Sequence, residues 1–178
     1  MNCVIDKMTS PRSLLMIQRA KELQKSDSSY ISLAGGEPDF DTPAAVTKAA
    51  IASLRRGNTH YVVGPGIPEL RQEIQRKLLR ENGIQTEVDR ILVTPGGKMA
   101  IYLAVQAVLN HGDKVLLPEP AWVSYESIVI SAGAEAVKVP LSPADHYRLT
   151  EALLEQHYTP EVRLIIINYP NNPTGRIL

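Results

Sequence analysis

The sequence predicts an α/β fold built around a mainly parallel sheet. In the second half of the chain, short runs of β-forming residues alternate with stretches of helical periodicity, which is typical of βαβ units. The run at residues 164–167 is apolar on both faces, as expected of a strand buried inside a parallel sheet. With 44% apolar residues among 178, the chain has enough material for a hydrophobic core.

The order of elements follows from cap signals and periodicity. Three helices are predicted in the first half, each opened by a proline-containing cap signal: 10–26, 42–57 and 68–83. A short strand is predicted at residues 30–33, before a turn-rich crossing. In the second half, predicted strands at 91–94, 115–117, 136–139 and 164–167 alternate with predicted helices at 98–110, 121–132 and 148–157.

Charge and cysteine content exclude several classes of protein. Nineteen basic and nineteen acidic residues give no net charge, which is not the footprint of a nucleic-acid-binding protein. The single cysteine, Cys3, cannot form an internal disulfide, and no Cys/His cluster has zinc spacing. The N-terminus lacks the apolar core of a signal peptide, and the longest apolar stretch, 99–109, is too short to span a bilayer. We therefore expect a cytoplasmic protein without a metal site or a membrane partner.

One strand-to-helix turn contains Gly96 and Gly97, with Lys98 directly after them. Free N–H groups at a helix start, the helix dipole and a nearby ammonium group form an anion cradle, and glycine lets a phosphate approach the backbone. A tight turn with a solvated Lys98 is the alternative interpretation. The pattern is not a P-loop, because Leu92 stands at the position of its first glycine and Met99 at that of its Ser or Thr.

Two more candidate ligand contacts follow predicted strands. Trp122, the only tryptophan, can stack on a planar heteroaromatic ring, although core or interface packing also explains a lone tryptophan. Asn172 can hydrogen-bond a ligand or merely serve a turn, and Asn171 and Thr174 can do the same. Because loops at the carboxyl ends of parallel strands meet at one sheet edge, Gly97, Trp122 and Asn172 are expected to converge. They describe a pocket for a phosphorylated, aromatic, hydroxyl-bearing cofactor.

Two positions in the first half are less specific. Gly36 lies in a Gly-Gly-Glu-Pro-Asp-Phe turn, where its N–H group can meet a carboxylate or where the turn has no further role. Tyr61 lies in a loop far from the other candidates in sequence, and both a surface position and an interface position are open for it.

In these residues and their order, the chain resembles the class I and II pyridoxal-phosphate (PLP) aminotransferases of fold type I, and among them the bacterial aspartate aminotransferase subgroup. The segments that carry the resemblance are 36–40, Tyr61, 66–71, 96–98, 122–125 and 171–175. It implies a three-layer α/β/α architecture. Residues 1–41 would form an N-terminal helix and a small-domain segment, and residues 42–178 the N-terminal part of the cofactor-binding large domain.

The resemblance implies PLP as the cofactor and assigns residues to it. Gly96, Gly97 and Lys98 would hold the phosphate, Trp122 would stack on the pyridine ring, and Asn172 would hydrogen-bond the phenolic oxygen. Trp122 and Asn172 would also border the substrate.

Four further positions acquire expectations from the resemblance. Gly36 would meet the substrate α-carboxylate through its backbone. Tyr61 would reach the phosphate in the partner subunit, which implies a homodimer. The bonds before Pro120 and Pro173 would be cis.

The implied reaction transfers an amino group from an amino acid to a 2-oxo acid. The Schiff-base lysine of the family lies in a Ser-x-x-Lys pattern, and no lysine of this chain has a serine three residues before it. The family's aspartate, arginine and tyrosine partners of the cofactor and substrate also have no match. We therefore expect an N-terminal fragment that is inactive alone, binds PLP weakly and associates through an open sheet edge. A PLP-dependent lyase or synthase of the same fold and a non-catalytic truncated product are the alternatives.

Overall fold

The computed structural model describes residues 12–33 and 35–177, which form six α-helices and three β-strands. The helices are α1 Arg12–Ser26, α2 Ala44–Arg55, α3 Pro68–Asn82, α4 Gly97–Val108, α5 Ser124–Ser131 and α6 Glu151–His157. The strands are β1 Lys114–Glu119, β2 Glu135–Pro140 and β3 Val162–Ile165. The cap predicted at Ser10 and Pro11 and the single Cys3 lie outside the described residues.

Sequence signals account for several helix ends. Proline occupies the first turn of α3, Glu69 lies in that turn, and Gly83 closes the helix in the left-handed conformation at φ 66°. At the start of α6, the Thr150 side chain accepts a hydrogen bond from the Leu153 N–H at 3.3 Å. Helix identity was thus predictable, and the observed bounds differ from the predicted ones by a few residues.

The three strands form one parallel sheet with the order β2-β1-β3. The central strand β1 pairs with β2 from Lys114 opposite Glu135 to Glu119 opposite Pro140. On its other side β1 pairs with β3, and the register shifts between Lys114 and Val115. The predicted α/β class with a parallel sheet is confirmed.

The hydrophobic core lies between the sheet and the helices α4 and α5. Its buried members come from β1, the two helices and the segments that follow them: Val105, Leu109, Val115, Ile128, Val129 and Ala134. Leu164 and Ile166 pack against this cluster while remaining half-buried. Burial on the core side accounts only for Leu164 and Ile166. The expectation of a strand at 164–167 covered on both faces is wrong, because β3 is an edge strand that ends at Ile165, and Ile167 is 50% exposed.

The described residues divide into two compact units: 12–33, 35 and 101–177 form the first, and 36–100 form the second. The first contains the sheet, and the second contains α2, α3 and the start of α4. The predicted division into a small-domain segment, residues 1–41, and part of the large domain, residues 42–178, stays a prediction.

Two predicted strands are wrong. Residues 30–33 follow α1 as an irregular segment, in which the Tyr30 N–H donates to Asp27 O and Tyr30 O accepts from Gln24 Nε2 at 3.2 Å. These bonds tie the segment to the helix end, and Ile31 and Leu33 are exposed instead of covered by a sheet.

Residues 91–94 are also not a strand. Arg71 Nε donates to Ile91 O at 2.9 Å, and the Val93 N–H donates to Pro65 O at 2.9 Å. A Cβ at Gly66, which has φ 107°, would come within 2.7 Å of Val93 Cγ2. An arginine side chain and a close-packed glycine loop therefore take the backbone hydrogen bonds that a neighbouring strand would otherwise use.

Candidate cofactor site

The turn before α4 presents an exposed helix start. Gly96 adopts φ 86°, its N–H donates to Thr94 O at 2.8 Å, and its carbonyl accepts from Thr94 Oγ1 at 3.0 Å. A positive φ at this position favours glycine. These bonds fix the turn so that α4 begins at Gly97, with Lys98 exposed in the first turn.

The space in front of this helix start is open. A Cβ built on Gly96 or Gly97 would meet no atom within 4 Å. The first N–H groups of a helix lack intrahelical partners and carry the positive end of the helix dipole. The turn is therefore suited to a phosphate.

Trp122 lies in the loop between β1 and α5. It is half-buried, and its ring lies 5.2 Å from the ring of Tyr125 at an interplanar angle of 84°. The Glu119–Pro120 bond that precedes it is cis, as the resemblance implied. The indole is thus held next to a buried aromatic ring while part of its surface remains accessible.

Asn172 lies in the loop that follows β3. This loop is closed by Asn171, whose N–H donates to Arg176 O and whose carbonyl accepts from the Gly175 N–H, both at 2.8 Å. The Asn171 side-chain oxygen accepts from the Thr174 N–H at 3.1 Å and from Thr174 Oγ1 at 2.8 Å. Asn171 and Thr174 therefore hold the loop together.

The exposed amide of this loop belongs to Asn172. Its side chain forms no hydrogen bond with another residue in the described part of the chain, and the residue is exposed. The Asn172–Pro173 bond is cis as implied, and the Tyr169–Pro170 bond is cis as well, which sequence analysis did not anticipate. Of the three polar residues considered for a ligand contact, Asn172 is the one that the loop leaves available.

The structure brings the Trp122 loop and the Asn172 loop together. Asn171 Nδ2 donates to Pro120 O at 3.3 Å, which links the connections after β1 and β3. Gly36 and Tyr61 are exposed and belong to the same unit as Gly96 to Lys98, at positions 36–100. The convergence of all the candidate residues on one ligand stays a prediction.

Two residues of this region were missed as organisers of the site. Asn171 was considered only as an alternative ligand contact, although an Asn three residues before a Thr is a turn-closing pattern that the sequence displays. Tyr125 lies three residues after Trp122, and residues at this spacing are neighbours on one face of a helical turn.

Charged groups at the carboxyl end of the sheet form a small network. Lys138 Nζ lies 3.2 Å from Glu126 Oε1 and 3.3 Å from Glu119 Oε1, so one ammonium group joins β2, α5 and β1. Hydrogen bonds to Glu126 first and then to Glu119 raise the pKa of Lys138 above its usual value. Burial raises the pKa of the Tyr125 hydroxyl, which keeps it neutral.

Other site types are not indicated in residues 12–33 and 35–177. No group of three His, Cys, Asp or Glu side chains there is arranged to hold a metal ion. No helix among them has the length and apolarity needed to cross a membrane.

Comparison with known proteins identifies the family. The family model for aminotransferase class I and II matches residues 28–178. A probable aspartate/prephenate aminotransferase of Aquifex aeolicus is 41% identical over 93% of this chain and 42% of its own length. The aspartate aminotransferase of Geobacillus stearothermophilus is 38% identical over 97% of this chain and 44% of its own length.

Solved structures agree with the sequence relatives. The aspartate aminotransferase from Thermus thermophilus with maleate superimposes with a TM-score of 0.94 and 36% identity, over 99% of this chain and 46% of that chain. The chain thus spans less than half the length of the relatives it matches. Members of this family generally depend on PLP. This chain belongs to the aminotransferase class I and II family.

Proposed function

We propose that this chain is part of a PLP-dependent aminotransferase, in which it binds the cofactor and contacts the substrate. The observation that carries the proposal is the pairing of the Trp122 and Asn172 loops at the carboxyl ends of neighbouring parallel strands, the usual ligand edge of an α/β sheet. Membership of the aminotransferase family supports the reaction class. Transfer of an amino group from an amino acid to a 2-oxo acid is the proposed reaction.

Each proposed contact follows from local chemistry. PLP, when bound, supplies the electron sink and the carrier for the amino group. The N–H groups at Gly96 and Gly97 and the Lys98 ammonium group would bind the phosphate, since they offer donors and positive charge. The Trp122 face would cover the planar ring, and the Asn172 amide would donate to the phenolic oxygen.

Substrate and subunit contacts are proposed for two exposed residues. The Gly36 N–H would bind the substrate α-carboxylate. Tyr61 is fully exposed within its own subunit and would reach the phosphate in the partner subunit of a homodimer. The cytoplasmic location expected from cysteine usage stays a prediction.

A glycine substitution tests the phosphate assignment. Gly97→Ala adds a Cβ where no atom lies within 4 Å, in a helical position without positive φ, so the fold has room for it. Alanine favours helix over glycine by about 0.5–1 kcal/mol, so the stability should not fall. We expect the variant to lose PLP binding, because the added methyl group occupies the phosphate approach. Fluorescence of Trp122 during PLP titration measures the affinity, and urea unfolding measures the stability. PLP affinity equal to that of the parent would contradict the phosphate assignment.

Lysine variants separate specific from random contacts with PLP. Lys98→Gln should weaken binding by about 10- to 150-fold, the range for losing a charge-assisted hydrogen bond. Lys48→Gln, on an exposed position of α2, is the matched control and should bind as the parent does. Pyridoxal, which has no phosphate, should bind the parent more weakly than PLP binds Lys98→Gln, because the Gly96 and Gly97 N–H groups then lose their acceptor as well. Equal affinities for PLP and pyridoxal would contradict the assignment.

Reaction class requires the whole reading frame. The natural gene product should be tested for exchange of amino groups between a panel of amino acids and 2-oxo acids. Exchange that depends on the oxo acid supports the proposal. Release of pyruvate and ammonia without an acceptor would indicate a lyase, and no reaction with any amino acid would remove the enzymatic proposal.

A further inference from the structure

We propose that Tyr125 is a positioning residue that fixes the plane of the Trp122 indole and links it to the loop after β3. The part of this inference that concerns PLP rests on the proposed function. The part that concerns the two rings does not depend on any ligand.

The first support is the geometry of the aromatic pair. The ring centroids of Trp122 and Tyr125 lie 5.2 Å apart and the ring planes are nearly perpendicular, at 84°. Edge-to-face pairs at this distance are favoured over a face-to-face sandwich, because the positive edge of one ring meets the negative face of the other. The Tyr125 N–H also donates to Trp122 O at 3.1 Å, which fixes both backbones at the start of α5. Rotation of the indole is therefore restricted from the protein side.

The second support is the difference in burial between the two rings. Tyr125 is only 7% exposed, whereas Trp122 is half-buried. The tyrosine ring is thus fixed by packing, and the tryptophan, whose surface is partly available to a ligand, takes its orientation from it.

The third support is the position of Tyr125 between two loops. A small cavity of about 10 Å³ is lined by Tyr125 and by residues from β1 and from the segment after β3, including Asn168, Tyr169 and Asn171. Asn171 in turn donates to Pro120 O. Tyr125 therefore lines one cavity together with Ala121 of the Trp122 loop and Asn171 of the loop after β3. A shift of this ring is expected to change the spacing between the proposed ring contact and the proposed phenolic-oxygen contact.

The experiment uses the fact that Trp122 is the only tryptophan in the sequence. Near-UV circular dichroism and fluorescence anisotropy of the ligand-free chain report directly on the indole. Tyr125→Leu keeps an apolar side chain and removes the ring, and Tyr125→Phe keeps the ring. Ile128→Val is the matched control, because Ile128 lies on the same helix and is equally buried at 7% exposed.

We expect Tyr125→Leu to reduce the near-UV tryptophan bands at least twofold and to lower the anisotropy, whereas Tyr125→Phe and Ile128→Val retain the parent signals. Unchanged bands in Tyr125→Leu, or an equal loss in Ile128→Val, would overturn the proposal. Should Tyr125→Leu fail to fold by far-UV circular dichroism, nuclear Overhauser contacts between the two rings in the parent chain decide instead. Their absence overturns the proposal, and their presence supports it.

PLP affinity distinguishes this inference from the proposed function. We expect Tyr125→Leu to weaken PLP binding by about 2- to 12-fold, which corresponds to loss of one edge-to-face aromatic contact. Equal affinity of parent and Tyr125→Leu would overturn the positioning role toward the cofactor. If neither chain binds PLP while the indole signals change as expected, the proposed function fails and the role of Tyr125 in holding Trp122 remains.

Discussion

Asn171→Ala should lower the stability of the chain and Asn172→Ala its PLP affinity, although the two residues are adjacent and chemically identical. Asn171 makes three side-chain hydrogen bonds, to Pro120 O, from the Thr174 N–H and from Thr174 Oγ1. At roughly 0.5–1.5 kcal/mol each, their sum is about 1.5–4.5 kcal/mol. Because the side chain is half-buried, water replaces part of this. We expect Asn171→Ala to lower the free energy of unfolding by about 1–3 kcal/mol.

The control variant should leave stability unchanged. Asn172 is exposed and its side chain has no hydrogen bond within the described residues, so Asn172→Ala should change the free energy of unfolding by no more than about 0.5 kcal/mol. Urea unfolding followed by Trp122 fluorescence and by far-UV circular dichroism measures both variants. For a chain of this size, the loss in Asn171→Ala corresponds to roughly 2–12 °C in Tm.

Ligand binding should reverse the order of the two variants. Asn172→Ala removes the proposed donor to the phenolic oxygen, so PLP affinity should fall by about 10- to 150-fold while the fold persists. We expect the PLP affinity of Asn171→Ala to fall only in proportion to the fraction of molecules in which the loop is unfolded. The reasoning is refuted if Asn172→Ala destabilises the chain as much as Asn171→Ala does, or if Asn171→Ala costs less than about 0.5 kcal/mol.

Three further predictions concern packing, pH and association. Leu117→Ala, in the 2% exposed centre of β1, should lower the free energy of unfolding by about 2–5 kcal/mol, whereas Leu79→Ala, 59% exposed on α3, should stay within about 0.5 kcal/mol in the same urea assay. Lys138 has a raised pKa, so its stabilising contribution is present below its ordinary pKa of 10.5 and is lost as the pH rises through the raised pKa. The urea midpoints of the parent and Lys138→Met should therefore differ at pH 8 and converge in strong alkali. A difference that stays constant with pH would contradict this prediction. The chain should self-associate through the edge strand β3 and the open apolar groove of about 410 Å³ beside it. Tyr158→Lys, in the groove, should therefore reduce the mass measured by light scattering, whereas the control Val108→Lys should not. A monodisperse parent monomer would contradict the prediction.

Elements with strong local signals were predictable from the sequence. Helix α3 has proline at its start and Gly83 at its end, and both signals act within one turn of chain. The strands β1, β2 and β3 were predicted because a β-forming run needs only its own composition to be recognised. These features depend on neighbours in sequence, so no knowledge of the tertiary structure was required.

Features decided by distant partners were not predictable. Residues 91–94 have strand composition, but Arg71, twenty positions earlier, and the loop at Pro65 take their backbone hydrogen bonds. In the same way, the roles of Asn171 and Asn172 look interchangeable in sequence. The Pro120 carbonyl, 51 positions away, helps to determine which of them closes the loop and which remains available.

The proximity of the Trp122 and Asn172 loops has a topological cause. The chain runs from β1 to β2 on one side and then returns to place β3 on the other side of β1, so the strand order reverses at the central strand. Parallel sheets bind ligands at such reversals, because the loops on either side separate and leave a crevice at the carboxyl ends. If the strand order were β1-β2-β3, the loop after β3 would lie beside the connection after β2 and would be separated from the Trp122 loop by a strand. The crossover, more than the composition of either loop, therefore makes a shared site possible for an indole and an amide that lie fifty residues apart.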